Sequence, residues 1–290
     1  MQHYPEATLY IVATPIGNLA DISLRALHVL QLVDAVACED TRHTQSLLHH
    51  YGIQTGASKP LLAVHQHNEA QAAGLVVERL RRSERVAYVS DAGTPAVSDP
   101  GARLVATVRA AGLKVMPLPG ASSVTTVLSA AGVTRAEGST DSATGFVFVG
   151  FLPGKAGERD QAIQALRADT RVAVILEAPH RIEALASALA VLQDRLVTVG
   201  RELTKQFEEI ATIPAQGLAG WLAASPQRTR GEFALVLHAS ATQERAEGST
   251  RVLKLLLKEL PLKTAVKIAA EITGAPRNEL YEAALKLKKQ

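Results

Sequence analysis

The apolar residues between positions 8 and 118 occur in two alternating patterns, short continuous runs and longer stretches with helical spacing. The continuous runs are rich in β-branched residues and bounded by turn residues, a pattern typical of strands buried in a parallel sheet. These predicted strands lie at 8–13, 33–38, 61–65, 85–90 and 113–118. The predicted helices lie at 21–31, 41–50, 68–82 and 99–111, the last capped by Asp99 and Pro100. The alternation predicts an α/β fold with helices on both faces of the sheet.

The alternation resumes at 145–240 with a different arrangement of strands. The strand-like runs lie at 146–149, 172–176, 196–199, 207–212 and 233–238. Residues 201–206 are few for a helical crossover, which predicts some antiparallel pairing in this second sheet. We expect the helix near 121–132 to begin a second domain. The sequence thus predicts two α/β domains, at residues 1–118 and 119–240.

Beyond residue 240 the pattern is helical only. Residues 241–249 are polar, and we expect them to form a flexible linker. Apolar residues then recur at helical spacing, and Gly274 and Pro276 separate two of the predicted helices. Residues 250–290 are therefore expected to form a small helical module that resembles a helix-turn-helix.

The basic charge of the chain is concentrated in this tail. Residues 251–290 hold nine Lys or Arg and four Asp or Glu, a net charge of +5, whereas the whole chain carries +3. A basic helical module indicates either contact with a polyanion or a solvated helical face. Charge alone favours neither interpretation.

The composition is that of an ordinary globular protein. Of the 290 residues, 47% are hydrophobic and 20% are charged. No stretch approaches the roughly 20 apolar residues of a membrane helix, and the N-terminus lacks the features of a signal peptide. The single cysteine, Cys38, excludes an internal disulfide, suits a reducing compartment and is expected to be a buried small side chain. The sequence therefore predicts a cytoplasmic protein that does not contact a membrane.

Three loops rich in Pro and Gly follow three of the predicted strands. They lie at residues 14–18, 90–95 and 117–123. Ligands of open α/β sheets bind at the carboxyl ends of the strands, so these loops predict one shared pocket. The first loop lacks the G-x-G-x-x-G fingerprint, which disfavours nicotinamide chemistry, and residues 150–156 do not complete a phosphate-binding loop. No metal-ligand spacing is evident in the sequence, and we expect no metal.

Charged side chains follow three further strand ends, at residues 38–44, 176–181 and 200–209. They place Arg42, Arg181, Arg201 and Lys205 where a phosphorylated substrate would be bound. For the first cluster, capping of a helix by Asp40 or Thr41 beside a surface ion pair explains the residues equally well.

Eight motifs in order along the chain resemble one known family. They are ATPIGN (13–18), CEDTRHT (38–44), SDAGTPAVSDPG (90–101), PLPGASS (117–123), FVGFLP (148–153), LEAPHRI (176–182), RELTKQFEEI (201–210) and GEFALVL (231–237). This set resembles the tetrapyrrole-methylase superfamily of S-adenosylmethionine-dependent methyltransferases, and within it the ribosomal RNA branch. The resemblance implies two α/β domains that bind S-adenosylmethionine in the cleft between them, and it implies a homodimer.

The resemblance also implies which residues bind the cofactor. The first loop would contribute Pro15 and Gly17, and the second would hold the methionine part with Ser90, Asp91, Ala92 and Gly93. Of the wider family's Gly-Asp-Pro-like loop, this chain keeps only the aspartate. The remaining expected contacts are Ala96, Val97, Ser122, Ser123, Leu176, Gly231 and Glu232.

The reaction that the resemblance implies is methylation of the ribose 2′-oxygen of a cytidine in small-subunit ribosomal RNA. The RNA would be bound either free or within the assembled subunit. The expected catalytic residues are Asp40, Arg42, Glu177, Arg181 and Lys205. The proton acceptor is sought among Asp40, Glu39, Glu177 and Lys205, and phosphate contacts among Arg42, Arg181 and Arg201. Two alternatives stay open: methylation of a tetrapyrrole or other small molecule, and a nucleic-acid-binding regulator built on a ligand-binding core.

Overall fold

The first half of the chain forms a parallel five-stranded sheet with strand order β3-β2-β4-β1-β5. The computed structural model describes residues 3–65, 68–98, 101–133, 145–240, 243–275 and 277–287. The strands are β1 (Thr8–Val12), β2 (Ala35–Cys38), β3 (Leu61–Ala63), β4 (Arg85–Val89) and β5 (Lys114–Leu118). The flanking helices are α1 (Leu24–Leu32), α2 (Thr41–His50), α3 (Glu69–Arg81) and α4 (Ala102–Ala110). The predicted alternation of strands and helices is confirmed.

The central strands β1 and β4 are buried on both faces, which is why their sequences are continuously apolar. Tyr10 and Tyr88 lie on opposite faces in two separate apolar clusters. Helix α4 begins at Ala102, after Gly101. The capping residues expected for that helix, Asp99 and Pro100, lie outside the described residues.

The second sheet is mixed and has the strand order β6-β7-β10-β8-β9. Its strands are β6 (Phe146–Phe151), β7 (Val172–Glu177), β8 (Leu196–Arg201), β9 (Glu209–Pro214) and β10 (Phe233–Leu237). β6 and β7 are parallel, and the other neighbours are antiparallel, as the short 201–206 connection predicts. β9 begins two residues later than expected, because two turns, closed by hydrogen bonds from Lys205 to Glu202 and from Glu208 to Lys205, extend the connection to residue 208.

Helices cover both faces of the second sheet. α6 (Ala156–Ala168), α7 (Ile182–Leu189) and α8 (Leu218–Ala223) pack on one face. α5 (Ser123–Ala130) covers the other face, where Val124 and Val127 contact Val174 and Ala234. Ile16, from the loop after β1, packs into this same cluster and so joins the first sheet to the second. The boundaries 1–118 and 119–240 stay a prediction.

The tail consists of three helices around an apolar cluster of their own. They are α9 (Gln243–Glu259), α10 (Leu262–Thr273) and α11 (Arg277–Leu287). Leu253, Ala265 and Leu280, one from each helix, lie in this cluster. Gly274 ends α10 in the left-handed conformation expected of a glycine at that position, and Pro276 lies outside the described residues.

The expected linker at 241–249 is wrong from Gln243 onward, where α9 begins. Residues 243–247 are helix-forming, and they continue a helix whose later part packs in the tail cluster through Leu253. Across the described parts of the chain, no helix combines the length and the apolar character needed to cross a bilayer.

Candidate functional site

The three loops that follow β1, β4 and β5 are joined into one wall. These strands are neighbours in the parallel sheet, so their carboxyl ends lie at the same edge. The amide of Thr14 donates to the Gly93 carbonyl at 2.9 Å, and the amide of Gly93 donates back at 3.0 Å. The Thr94 hydroxyl donates to the Ala121 carbonyl at 3.0 Å, which links the second loop to the third.

Small residues allow the three loops to pack this closely. Gly93 has φ +81°, and a Cβ there would lie 3.3 Å from Ile16 Cγ2. A Cβ on Gly120 would lie 2.7 Å from the Cβ of Ala13. The glycines are therefore required by the close packing between loops, and the wall that they build borders a cavity.

A cavity of about 290 Å³ lies between this wall and the second sheet. Its volume is close to the lower end of the range typical of small-molecule sites, roughly 300–1,000 Å³. The first-sheet side is lined by Ile16, Ala92, Gly93, Thr94, Val97, Ser98, Ser122, Ser123 and Val124. The second-sheet side is lined by Phe151, Leu176, Glu177, Ala178, Pro179, Leu203, Glu232, Phe233 and Ala234.

Eight of the residues expected at the site line this cavity together. They are Ala92, Gly93, Val97, Ser122, Ser123, Leu176, Glu177 and Glu232. They come from the second and third loops of the first sheet and from the ends of β7 and β10. Residues from separate strand-end motifs therefore line one cavity, as the sequence predicts.

Six other expected cofactor contacts lie beside the cavity and outside its lining. They are Pro15, Gly17, Ser90, Asp91, Ala96 and Gly231. Ser90 is buried, and its hydroxyl donates to the Gly93 carbonyl at 3.1 Å, within the second loop. Side chains on Gly17 and Gly231 would collide with Lys205 and Glu202, respectively. These positions shape the loops that surround the cavity.

Glu177 brings a buried carboxylate to the cavity. It is 2% exposed, and its Oε1 accepts from the Ala178 amide at 2.9 Å and lies 3.0 Å from Arg181 Nε. Its Oε2 is buried with no hydrogen-bond partner. Oε2 can therefore accept a hydrogen bond from a group bound in the cavity.

Lys205 is held between two carboxylates. Its Nζ donates to Glu202 Oε1 and to Glu232 Oε2, each at 2.9 Å. Burial lowers the pKa of Lys205, but the hydrogen bonds and charges of Glu232 and Glu202 outweigh it and raise the pKa overall. Lys205 therefore carries a proton at neutral pH and fixes the cavity-lining Glu232 to the turn after β8.

Asp40 serves as the N-cap of α2. Its carboxylate accepts from the amides of Arg42 and His43 and forms an ion pair with the Arg42 side chain at 3.0 Å. The hydrogen bonds from Arg42 are the largest cause that lowers the pKa of Asp40 to about 2. A carboxylate of such low basicity is a poor proton acceptor, so the geometry favours the capping interpretation.

Two of the expected phosphate ligands are engaged within the protein. Arg201 is 6% exposed, and it donates to the carbonyls of Arg230 at 2.8 Å and Phe207 at 3.1 Å. The expectation that Arg201 holds a phosphate is therefore wrong, because its guanidinium is buried against backbone oxygens. Arg181 pairs with Glu177 and donates to the Leu152 carbonyl, which leaves its side chain about a quarter exposed.

The remaining lining residues were missed by motif reasoning. They are Ile16, Thr94, Ser98, Val124, Phe151, Ala178, Pro179, Leu203, Phe233 and Ala234. Most are direct sequence neighbours of predicted contacts, and the roles of the individual residues stay predictions. Phe151 and Leu203 lie in motifs that gave no chemical reason to choose them.

Cys38 is buried at the end of β2, as expected, and burial is the main cause that raises the pKa of its thiol to about 11. Among the residues that the structure describes, no group of three or more His, Cys, Asp or Glu side chains is placed to hold a metal ion.

Comparison with known proteins gives matches along almost the whole chain. The family of tetrapyrrole (corrin/porphyrin) methylases matches residues 8–219, and the RsmI C-terminal HTH domain matches residues 243–288. The chain is 45% identical over 284 residues to Ribosomal RNA small subunit methyltransferase I of Pseudomonas aeruginosa, and the match covers 96% of each chain.

Solved structures share the fold of the two sheets. A cobalt precorrin-4 methyltransferase of cobalamin biosynthesis superposes with a TM-score of 0.57 and 17% identity, over 79% of this chain and 94% of that one. A uroporphyrin-III C-methyltransferase from Thermus thermophilus, complexed with S-adenyl homocysteine, superposes with a TM-score of 0.50 and 17% identity. The match covers 79% of this chain and 96% of that one. At such identities the likeness concerns the fold alone.

Proposed function

The chain belongs to the tetrapyrrole methylase family, and from this premise we propose that it uses S-adenosylmethionine to methylate small-subunit ribosomal RNA. We place the methyl group on the ribose 2′-oxygen of a cytidine. The observation that carries the proposal is the cavity that three strand-end loops of the first sheet form with the ends of β7 and β10. Similarity to an RNA-modifying relative over both the two-sheet body and the tail favours RNA over a tetrapyrrole as substrate.

The cavity fits S-adenosylmethionine in its chemistry. Ala92, Gly93 and the hydroxyls of Ser122 and Ser123 offer a polar wall of small residues, while Leu203 and Phe233 belong to the apolar part. The unpaired Oε2 of Glu177 suits a bound donor or cation. When the cofactor is bound in the cavity, its sulfonium supplies an activated methyl group.

Glu177 is the group best placed to accept a proton from the ribose hydroxyl. As the ribose oxygen bonds to the methyl carbon and the carbon–sulfur bond breaks, the hydroxyl proton passes to Oε2. Among the other candidates, Lys205 is already protonated, Asp40 has a pKa of about 2, and Glu39 does not line the cavity. Arg181, at 3.0 Å from Oε1, holds the carboxylate in position through its charge.

Contacts with the RNA backbone belong to residues outside the cavity. The side chain of Arg42 is 89% exposed and stands at the carboxyl edge of the first sheet. Exposed basic residues of the tail, Lys254, Lys258, Lys263 and Lys267, present positive charge on α9 and α10. Guanidinium and ammonium groups of this kind bind phosphates without reading sequence.

The proposal extends to assembly and location. We propose that the protein acts as a homodimer in the cytoplasm, where precursors of the small ribosomal subunit are available. Sedimentation of the purified protein tests the dimer.

The test of the function compares three acceptors under identical conditions. The protein is incubated with methyl-labelled S-adenosylmethionine and with unmodified small-subunit RNA, subunits reconstituted from that RNA, or uroporphyrinogen. We expect label in the RNA, free or assembled, and none in the tetrapyrrole. Label only in uroporphyrinogen would make the chain a small-molecule methyltransferase, and RNA binding without transfer would make it a regulator.

A further inference from the structure

Phe151 is an exposed aromatic residue at the edge of the cavity. It ends β6, the outermost strand of the second sheet on that side, and its side chain is 54% exposed. It also lines the cavity next to Leu176 and Glu177. A single exposed apolar side chain is common on a protein surface, so the exposure of Phe151 carries weight only because the ring also lines the cavity, where a bound group would cover it.

An irregularity in β6 directs Phe151 toward the cavity. Phe148 pairs with Val174 and Gly150 with Ile175, so Val149 is an additional residue in the strand. In a regular strand of the same sequence, Phe148 and Phe151 are three positions apart and would lie on opposite faces of the sheet. With the additional residue, Phe151 pairs with Leu176 and lies on the face that carries α5 and the cavity.

Gly150 makes this bulge possible. It is buried and has φ +72°, in the left-handed region where a residue with a side chain is strained. The chain thus contains a conformational device whose consequence is to turn one aromatic ring to the cavity side. β-Bulges commonly serve this purpose beside active sites.

The segment after Phe151 is tied to the candidate proton acceptor. Arg181 donates to the Leu152 carbonyl and lies 3.0 Å from Glu177 Oε1 through its Nε. Pro179, exposed and lining the cavity, stands on the same side. The ring therefore lines the cavity together with the carboxylate of Glu177, and the residue after it is bound by the guanidinium of Arg181. An aromatic ring beside such polar groups is suited to a nucleotide.

From this arrangement we infer that Phe151 is the stacking platform for the base of the nucleotide that is methylated. The inference rests on the proposed function and specifies how its substrate is bound. A ribose hydroxyl inside the cavity requires its nucleotide to leave the RNA stack, and an aromatic ring replaces part of the stacking that the nucleotide gives up. Phe151 lies on an edge strand and is open to solvent. This position favours the RNA acceptor, which arrives from solvent, as the partner of the ring, and disfavours the cofactor.

The test compares Phe151→Ala with Phe151→Trp and with a matched control, Phe146→Ala. Phe146 lies on the same edge strand, is 46% exposed and does not line the cavity. We expect Phe151→Ala to raise KM for the RNA substrate on the order of ten- to a hundredfold, the effect of removing one base–aromatic stack. Affinity for S-adenosylmethionine by calorimetry should stay at the wild-type value, Phe151→Trp should restore KM, and Phe146→Ala should behave as wild type.

Three outcomes would overturn the inference. Equal KM values for Phe151→Ala and Phe146→Ala, with an active wild type, would remove it and leave the proposed function standing. Weaker binding of S-adenosylmethionine by Phe151→Ala with unchanged KM for RNA would assign the ring to the cofactor. A wild-type protein that transfers no label to RNA would overturn the proposed function and the inference with it.

Discussion

The backbone amide of Asp40 donates a hydrogen bond to Asp91 Oδ1 at 3.2 Å. The two residues are 51 positions apart, and each follows one of the neighbouring strands β2 and β4. Asp91 thereby connects the start of α2 to the loop that supplies Ala92 and Gly93 to the cavity. Asp91 is the residue of the wider family's Gly-Asp-Pro-like loop that this chain keeps, and its side chain accepts a hydrogen bond from the start of α2.

Two substitutions of Asp91 distinguish the role of this hydrogen bond from a direct contact between the carboxylate charge and the cofactor. Asp91→Ala removes the acceptor and should destabilise the protein by about 1 kcal/mol, with weaker binding of S-adenosylmethionine because the loop loses its anchor. Asp91→Asn keeps an acceptor oxygen and should bind nearly as wild type. Urea unfolding and calorimetry measure the two effects. Equal loss of cofactor affinity in both variants would show instead that the carboxylate charge itself contacts the cofactor.

Gly93 and Gly112 form a matched pair for testing loop packing. Both have positive φ, +81° and +73°, but only a Cβ on Gly93 meets a neighbour, Ile16. Alanine should cost roughly 1–3 kcal/mol of stability at either position because of the backbone strain. Only Gly93→Ala should also weaken S-adenosylmethionine binding, since it displaces a residue that lines the cavity. Normal cofactor affinity in a folded Gly93→Ala variant would contradict the site.

Glu177 should matter for the chemical step. Glu177→Gln keeps the shape of the side chain and removes its ability to accept a proton, so single-turnover methylation should fall by about 10²- to 10⁴-fold. Asp40→Asn is the control, because it keeps a helix cap while removing another carboxylate that follows a strand, and it should leave the rate unchanged. A slow Asp40→Asn variant beside a fast Glu177→Gln variant would reverse the assignment.

The cap formed by Asp40 predicts a defined pH dependence of stability. Its pKa is lowered in the folded protein, from 3.8 to about 2, so its contribution is complete above 3.8 and disappears as pH falls toward 2. Asp40→Ala should therefore lower the urea midpoint at neutral pH, and the difference from wild type should shrink across that acidic interval. A difference that stayed constant down to the lower pKa would show that the carboxylate is not ionised in the cap.

The basic tail should make RNA binding depend on salt. Truncation after Ser240 should weaken RNA binding and flatten the log–log salt slope by roughly 0.7 for each phosphate that the tail no longer neutralises, while cofactor binding survives. Replacing the exposed Lys258, Lys263 and Lys267 by Gln keeps the tail and should flatten the slope similarly. Parallel slopes for all three proteins would mean that the tail only supports the structure.

The alternation of strands and helices was predictable because burial on both faces of a parallel sheet requires continuous apolar runs. The strand-end loops were predictable for the same reason, since parallel strands bring their carboxyl ends to one edge. The sequence also predicted antiparallel pairing around 201–206 from the length of one connection. In the tail, the polarity of residues 241–249 suggests flexibility, whereas from Gln243 onward they continue a helix that is stabilised where Leu253 packs in the tail cluster.

The roles of individual charged residues depended on partners that are distant in sequence. Lys205 is fixed by Glu232, 27 residues away, and Arg201 is buried against the carbonyl of Arg230. Neither contact can be predicted from the residues that surround Lys205 or Arg201 in the sequence. The same holds for Phe151, whose direction is set by pairing with β7 across an additional residue. Motifs locate a site, and long-range packing decides which members of each motif face it.

The central claim is tested most directly by identifying the methylated nucleoside. Unmodified small-subunit RNA, free and reconstituted into subunits, is incubated with the protein and S-adenosylmethionine, digested to nucleosides and analysed by mass spectrometry. We predict a single new product, cytidine methylated on its ribose 2′-oxygen, which forms about 10²- to 10⁴-fold more slowly when Glu177→Gln replaces the wild type. Methylation of a base, of a different nucleoside, or of neither RNA form would contradict the account.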